Sequence, residues 1–553
     1  MHPLTALKRH RAFFILIAFA ATLFLSDIWS YKEFVRAESY FALGARLMIE
    51  QSEWLAPHAP DERQLNKPPL AYWLTGLSYK LFGASYGSAR LPVVVCALCI
   101  LAFVYSLGVW LDGIRSGLTS AAVLASSYLF LTFARTAMSD MLLALCVTAS
   151  LTCFMFALTQ QTVRSRRLAI SGYIPLALGV LTKGPVALVL VAAPIILALG
   201  WSRNRAAVKQ LLLGRGSLVF LAIAAPYFVL VYRRLGAEPL RFFFLGENIR
   251  RFTGEVYGSS GRPFWFELAA FFSDFAPWSL LIFTAVWFDW RARGSNEIKD
   301  QARHILYLWL GSTIFLFSLS SFKLVYYLLP AMPAAALIIG SMVAGADEHL
   351  HLARRMMQAF LVLCSLIIVV IAFLVLKAAV ILSNQSFFRF MPLVIAVGGA
   401  AVISLHLKRR KLWRAAMILI VVMWATILTT QLALLPAFTR YLPATQLAAR
   451  VPSDRIWYTS WAASDWANCI AFNLAPPHRV ERLVGDAGNE RLLAALKNDS
   501  RAVVVIWERE YAELATKDPE LRVLAQAETY GRGGLNLKMV RQPRRERLML
   551  VGH

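Results

Sequence analysis

Long apolar runs, each bounded by a short burst of Lys and Arg, recur from the N-terminus to about residue 435, and beyond it the pattern changes. About 20 apolar residues in a helix cross a bilayer core, and lipid leaves a spanning backbone only its own hydrogen-bond partners. The runs predict thirteen spans: 12–29, 69–82 extended by 88–111, 117–133, 140–159, 168–182, 185–201, 216–232, 265–288, 304–320, 324–344, 357–377, 390–406 and 413–435. The second of these counts as one crossing plus a juxtamembrane piece. Lys8–Arg11 followed by Phe13–Leu25 has the look of a signal sequence. It lacks a small-residue cleavage site, so an uncleaved first span is expected.

The basic bursts orient the spans. Arg164, Arg166 and Arg167; Arg203, Arg205 and Lys209; Arg291 and Arg293; Arg354 and Arg355; and Lys408–Lys411 with Arg414 all fall on one side. Positive residues mark the cytoplasmic side, and the N-terminus joins them there. An odd number of spans then places the C-terminal tail outside. Three outer features follow: a loop over about 30–68 with an amphipathic stretch from Phe34 to Ile49, a loop over about 233–264, and the tail from Pro436. In the tail, alternation over Arg501–Trp507 and a helical run around Glu490–Leu496 predict a small α/β domain. The expected division is 1–435 for the membrane part and 436–553 for the outer domain.

Composition supports the class: 58% of the 553 residues are hydrophobic and 16% charged, against roughly 45–50% and about 25% in soluble domains. The net charge of +25 sits in the inter-span bursts, a distribution suited to anionic lipid; no basic-aromatic nucleic-acid module is present. Cys96, Cys99, Cys146, Cys153 and Cys364 lie inside spans and Cys469 outside, so no disulfide framework or metal cluster is readable.

Charge near the membrane is costly and usually has a purpose. Asp140 opens the fourth span, Lys183 and Lys323 sit in tight turns between apolar runs, Lys67 precedes Pro68-Pro69, and Glu38 lies in the first outer loop. All five are expected at the outer face near one depth. Carboxylates and cations in one place suit transfer of a group from a phosphate leaving group to an acceptor hydroxyl or phosphate. Plainer roles stand beside this one: a lysine at a turn also snorkels to headgroups, and an aspartate at a helix start also caps it. Span-end Trp and Tyr read as an aromatic belt, and His58 and His478 as surface residues. The arginines of the outer 233–251 stretch, Arg233, Arg234, Arg241, Arg250 and Arg251, break the charge bias. Arginine there suits an anionic ligand.

The order of motifs resembles the bacterial protein O-mannosyltransferase-like superfamily, especially aminoarabinose transferases that modify lipid A. The pieces are Ala45-Arg46 and Trp54–Pro57, Asn66–Trp73, Ser88–Pro92, Ala134–Met141, Leu181–Pro185, Glu247-Asn248 with Arg250–Phe252, Pro263–Trp265, Pro277-Trp278, and Ser321–Lys323 with Tyr326–Pro330. They run collinearly over about residues 10–350. The resemblance implies an all-α GT-C membrane fold with an outer soluble domain. It also implies an undecaprenyl-phosphate sugar donor and a lipid A or other glycolipid acceptor, with chemistry at the periplasmic face of an inner membrane. Carried over, Asp140 matches an outer-loop acidic residue; Lys183, Lys67 and Lys323 match site-lining positions, and Tyr326 and Tyr327 an aromatic pair. Where the family usually carries an Asp-Glu pair, this chain has Ala37-Glu38. Glu38, or less readily Glu33, is therefore expected to join Asp140 as the catalytic pair, the alternative being an already ionised phosphate acceptor that needs less activation, with Arg250 and Arg251 steering the acceptor. A divalent metal stays open, without a specific ligand cluster. A protein Ser/Thr acceptor and a polyprenyl-linked-sugar flippase are the alternatives. The absence of an inverted repeat and the clustering of charge at one face speak against the flippase.

Overall fold

The computed structural model describes residues 3–34, 36–56, 66–159, 163–201, 214–255, 260–291, 297–347, 351–381, 387–438, 443–450, 456–460, 463–474, 480–482, 488–529 and 546–553. His58 and His478 lie outside them, as do Arg203, Arg205, Lys209 and Arg293. The apolar runs are helical, and the chain is a multi-pass membrane protein. Among the described residues, eight helices are long and apolar enough to cross a membrane, or nine if one bent pair is a single span. Part of the difference from thirteen runs has local causes. The apolar stretches His10–Leu25 and Val186–Ala198 are short, and Ser127 separates Ile114–Ser126 from Tyr128–Phe133. The 265–288 run bends by 109° between Phe266–Asp274 and Trp278–Trp290. Pro277 at that bend has no N–H for a continuing helix.

The spans differ in what surrounds them. Val325–Ala344 is 94% buried inside the protein and His351–Val380 only 22%, so the first is a central post and the second presents its side chains to lipid. The post packs closely because it is built from small residues: a Cβ on Gly340 would fall inside Ser120 of the neighbouring helix. Close backbone approach of this kind replaces the hydrophobic drive that lipid removes.

The first outer loop contains the helix Arg36–Glu50, whose Phe41, Ala42, Ala45 and Met48 are buried, as the amphipathic pattern predicts. The second outer loop is shorter than expected, because the helix Gly216–Leu235 runs on past residue 232. A π-helical stretch, Phe242–Arg250, follows it.

The C-terminal region holds a five-stranded sheet in the order β2-β1-β3-β5-β4, with β1 Ile456–Thr459, β2 Val480–Arg482, β3 Ala502–Trp507, β4 Arg522–Thr529 and β5 Glu546–Gly552. Strand β1 pairs in parallel with β2 and β3, and β5 runs antiparallel to β3 and β4. All six residues of β3 are buried, so the Ala502–Trp507 run marks a central strand covered on both faces rather than a half-exposed one. The predicted helix is present as Gly488–Asn498.

The helix Ser464–Asn473 docks this region onto the first outer loop. Arg46 donates to the carbonyls of Phe472 and of Leu474, the latter at 2.8 Å, filling two acceptors that a helix C-terminus leaves open. The Phe472 ring packs 4.9 Å from Phe34 and 5.3 Å from Tyr86. Glu33 is buried at this junction with Oε1 lacking a hydrogen-bond partner among the described residues. Burial pushes its carboxyl up to about 8, against the opposing pull of the Ala444 N–H. Between its ordinary 4.5 and about 8, the folded protein holds a proton the unfolded chain has released, so stability falls as pH rises through that window. Glu33→Gln removes the titration. In detergent-solubilised protein followed by thermal shift, the variant is expected to melt higher than wild type at pH 8, on the order of 2 °C per kcal/mol relieved, with the difference vanishing near pH 4.5.

Candidate functional site

Asp140 is the second residue of the helix Ser139–Thr159, and Lys183 is the last of Val163–Lys183. The two helices pack along each other, which brings an acidic N-terminus beside a basic C-terminus, the ends where the helix dipoles favour each charge. Lys183 Nζ donates to Asp140 Oδ1 at 2.5 Å, and Asp140 is buried. Gly184 turns the chain at φ +83°, where a Cβ would strike Phe243; the turn holds only because it is glycine. The Lys183 ammonium also lies 5.6 Å and 5.1 Å from the ring centres of Tyr326 and Tyr327.

A second ionic group stands on Glu247, in the π-helical stretch. Its Oε2 accepts from Lys67 Nζ at 2.8 Å and from an Arg251 terminal nitrogen at 2.9 Å. Glu247 is buried. Burial pushes the Lys67 ammonium down to about 8; the Glu247 carboxylate opposes this shift, while Arg251 and Lys183 add to it. Arg251 also lies over the Phe322 ring, 4.9 Å from its centre. The basic 233–251 stretch points to Arg250 and Arg251 as site residues, whereas Glu247 stands out in the sequence only as part of the Glu247-Asn248 motif. The signal in the sequence is modest, since Glu247 is one of two carboxylates, with Glu238, in that basic segment.

Both groups line one cavity of about 560 Å³. Its charged wall consists of Asp140, Lys183, Lys67, Glu247 and Arg251, with Tyr326 and Tyr327 beside it. Among the described lining residues three cations thus face two carboxylates. Val186, Val189, Ile249, Phe252, Leu316 and Phe317 supply an apolar side, and Tyr40, Asn66 and Asn468 a neutral polar one. A charged pocket continuous with an apolar surface fits an amphiphile with an anionic head.

Other expected residues lie elsewhere. Glu38 is outside the lining set: its carboxylate accepts from Arg90 at 2.7 Å and 3.1 Å and from the Ala137 N–H at 2.9 Å. Arg90 also donates to the carbonyls of Ile28, Tyr31 and Glu33, so this pair ties the first outer loop to the turn that leads into Asp140. Its neighbour Ala37 does line the cavity and places a methyl group there. Lys323 is buried, with Nζ turned back to the Ser320 carbonyl. Arg250 is 60% exposed beside Glu255 at 3.9 Å. Among the described residues no three His, Cys, Asp or Glu side chains converge to hold a metal.

Residues 66–230 match the family model described as dolichyl-phosphate-mannose-protein mannosyltransferase. An undecaprenyl phosphate-alpha-4-amino-4-deoxy-L-arabinose arabinosyl transferase of Pseudomonas aeruginosa is 33% identical over 60% of this chain and 59% of its own length. The enzyme of the same name from Pectobacterium carotovorum is 27% identical over 68% of each chain. The chain thus spans 59% of the first relative and 68% of the second. The crystal structure of ArnT from Cupriavidus metallidurans bound to undecaprenyl phosphate superposes with a TM-score of 0.75 at 20% identity, covering 97% of this chain and 98% of that one. An archaeal oligosaccharyltransferase from Archaeoglobus fulgidus reaches 0.50 at 13% identity, covering 91% and 69%. The chain is a membrane protein of GT-C fold whose sequence resembles the aminoarabinose transferases.

Proposed function

We propose that the chain is an inner-membrane glycosyltransferase that moves a sugar from undecaprenyl phosphate to a lipid A or other envelope glycolipid on the periplasmic side. The observation that carries this reading is the cavity itself, a cation-rich wall beside an apolar one. Lys67, Lys183 and Arg251 would bind the donor phosphate, and the apolar side would receive the first part of the polyprenyl chain. The relatives' names point to 4-amino-4-deoxy-arabinose as the sugar. On this reading the N-terminus is cytoplasmic, residues 1–435 form the transferase and 436–553 a periplasmic domain. Two features support that orientation: Asp140 and Lys183 stand at one end of their helices, and Arg164–Arg167 at the other.

In the transfer, an acceptor oxygen forms a bond to the anomeric carbon as the bond from that carbon to the donor phosphate oxygen breaks. The phosphate leaves with the electron pair, and the three cations stabilise the charge it gains. Asp140 and Glu247 are each engaged by a cation. Ala37, which also lines the cavity, brings no carboxylate to it. The acceptor suited to such a site is already ionised, as a glycolipid phosphate is; its oxygen attacks without losing a proton. Asp140 then serves by holding Lys183 and orienting the reactants. Glu38, locked on Arg90, acts as a positioning residue for the turn before Asp140.

Mass spectrometry of lipid A from cells with and without the gene tests the reaction. A sugar-sized mass is expected to be missing from the null and restored by wild type. With Asp140→Asn its restoration should fall at least about tenfold, the worth of one charge-assisted hydrogen bond. Identical lipid A in both strains, with a glycan mass lost from envelope proteins instead, would move the acceptor to protein Ser/Thr. A second test uses Lys67. Phosphate is held by the ammonium form, so undecaprenyl phosphate affinity should drop about tenfold as pH rises through about 8. Lys67→Arg should flatten that profile; an unchanged drop in the variant would remove Lys67 from the phosphate site.

A further inference from the structure

Asn468 is buried, yet it lines the same cavity as Asp140 and Lys183. It belongs to the docking helix Ser464–Asn473 of the C-terminal region, far along the chain from every other residue of the lining. From this placement we infer that the C-terminal region supplies a wall of the catalytic cavity, and that Asn468, with Tyr40 and Asn66, contacts the sugar of the donor and sets which sugar is accepted.

The placement is held by the helix's own anchoring. Asn468 and Phe472 are four residues apart and share a helix face. Phe472 is fixed by its ring contacts with Phe34 and Tyr86 and by Arg46 on its carbonyl. The adjacent face is fixed as well: Cys469 Sγ lies 3.2 Å from the Phe34 carbonyl, and Asn473 Nδ2 donates to the Tyr86 hydroxyl at 2.7 Å. The docking that attaches the C-terminal region therefore also sets where the Asn468 amide stands.

The chemistry separates this group from the rest of the cavity. Lys67, Lys183 and Arg251 address charge. Tyr40, Asn66 and Asn468 are neutral and offer both donors and acceptors, and Asn66 Nδ2 already donates to the Tyr40 hydroxyl at 3.0 Å. Hydroxyl and amino groups on a sugar ring need such partners. A site built to bond them rejects an analogue that lacks them much more sharply than an apolar pocket can. The phosphate end of the donor belongs to the cations, so the neutral group is left for the sugar.

The inference rests on the glycosyl-transfer reading, and binding separates the two. Full-length protein in detergent is titrated with undecaprenol, undecaprenyl phosphate and undecaprenyl phosphate bearing 4-amino-4-deoxy-arabinose. Wild type is expected to bind the last most tightly. Asn468→Ala should lose about tenfold for the sugar-bearing lipid while keeping its affinity for undecaprenyl phosphate. Asn468→Asp, nearly the same in shape but without the amide donors, should show a loss in the same direction. Equal losses for both phosphorylated lipids in both variants would make Asn468 a purely structural residue and overturn the inference. So would unchanged binding of all three lipids, or a wild type that gains nothing from the sugar. Failure of wild type to prefer undecaprenyl phosphate over undecaprenol would instead sink the glycosyltransferase reading.

Discussion

Charge buried beside a membrane is tolerated only when it is paired or put to use, and the cavity of this protein is organised by that constraint. Lys183 is held by Asp140, and Lys67 and Arg251 share Glu247. Among the described lining residues three cations stand on two carboxylates, an excess that an anionic ligand would neutralise. The surrounding architecture brings these residues to one cavity: two helix ends meet at Asp140 and Lys183, a glycine turn releases the chain after Lys183, and a π-helical stretch carries Glu247 to Lys67.

A second buried ion pair supports the first from outside the cavity. Arg90 and Glu38 are nearly inaccessible, and Arg90 binds three backbone carbonyls besides the carboxylate. Removing one partner of such a pair strands the other, at a cost of roughly 3–5 kcal/mol. Because Glu38 also binds the Ala137 N–H, the pair fixes the first outer loop against the turn before Asp140. The same loop carries Arg46, which receives the docking helix of the C-terminal region. The loop thus links the transmembrane helices to the sheet and, through Asn468, brings that region to the cavity.

The membrane part of the fold is legible because lipid imposes one solution on an apolar run, helix, whatever its packing. Breaks within runs are less so. Pro277 is visible in the sequence, but the 109° turn there depends on what packs around it. The site divides in the same way. Asp140, Lys183 and Lys67 stand out because charge next to apolar runs is conspicuous. Glu38 looked available in the linear sequence because Arg90, 52 residues away, is joined to it only by folding. Lys323 turns back on its own loop, a local geometry that composition does not carry. Glu247 becomes significant only when the π-helical stretch aims it, and Asn468 only when two distant regions dock. The central strand β3 read as alternating because a six-residue apolar run says little about whether one face or both are covered.

The central claim is that the cavity's unbalanced positive charge grips a polyprenyl phosphate. Isothermal titration of purified Lys183→Met and Asp140→Asn proteins with undecaprenyl phosphate tests it most directly. The account predicts that Lys183→Met loses affinity by about tenfold or more, since a cation partner is gone, while Asp140→Asn binds at least as tightly as wild type because a competing carboxylate is neutralised. Equal weakening in both variants, or no weakening in Lys183→Met, would contradict it.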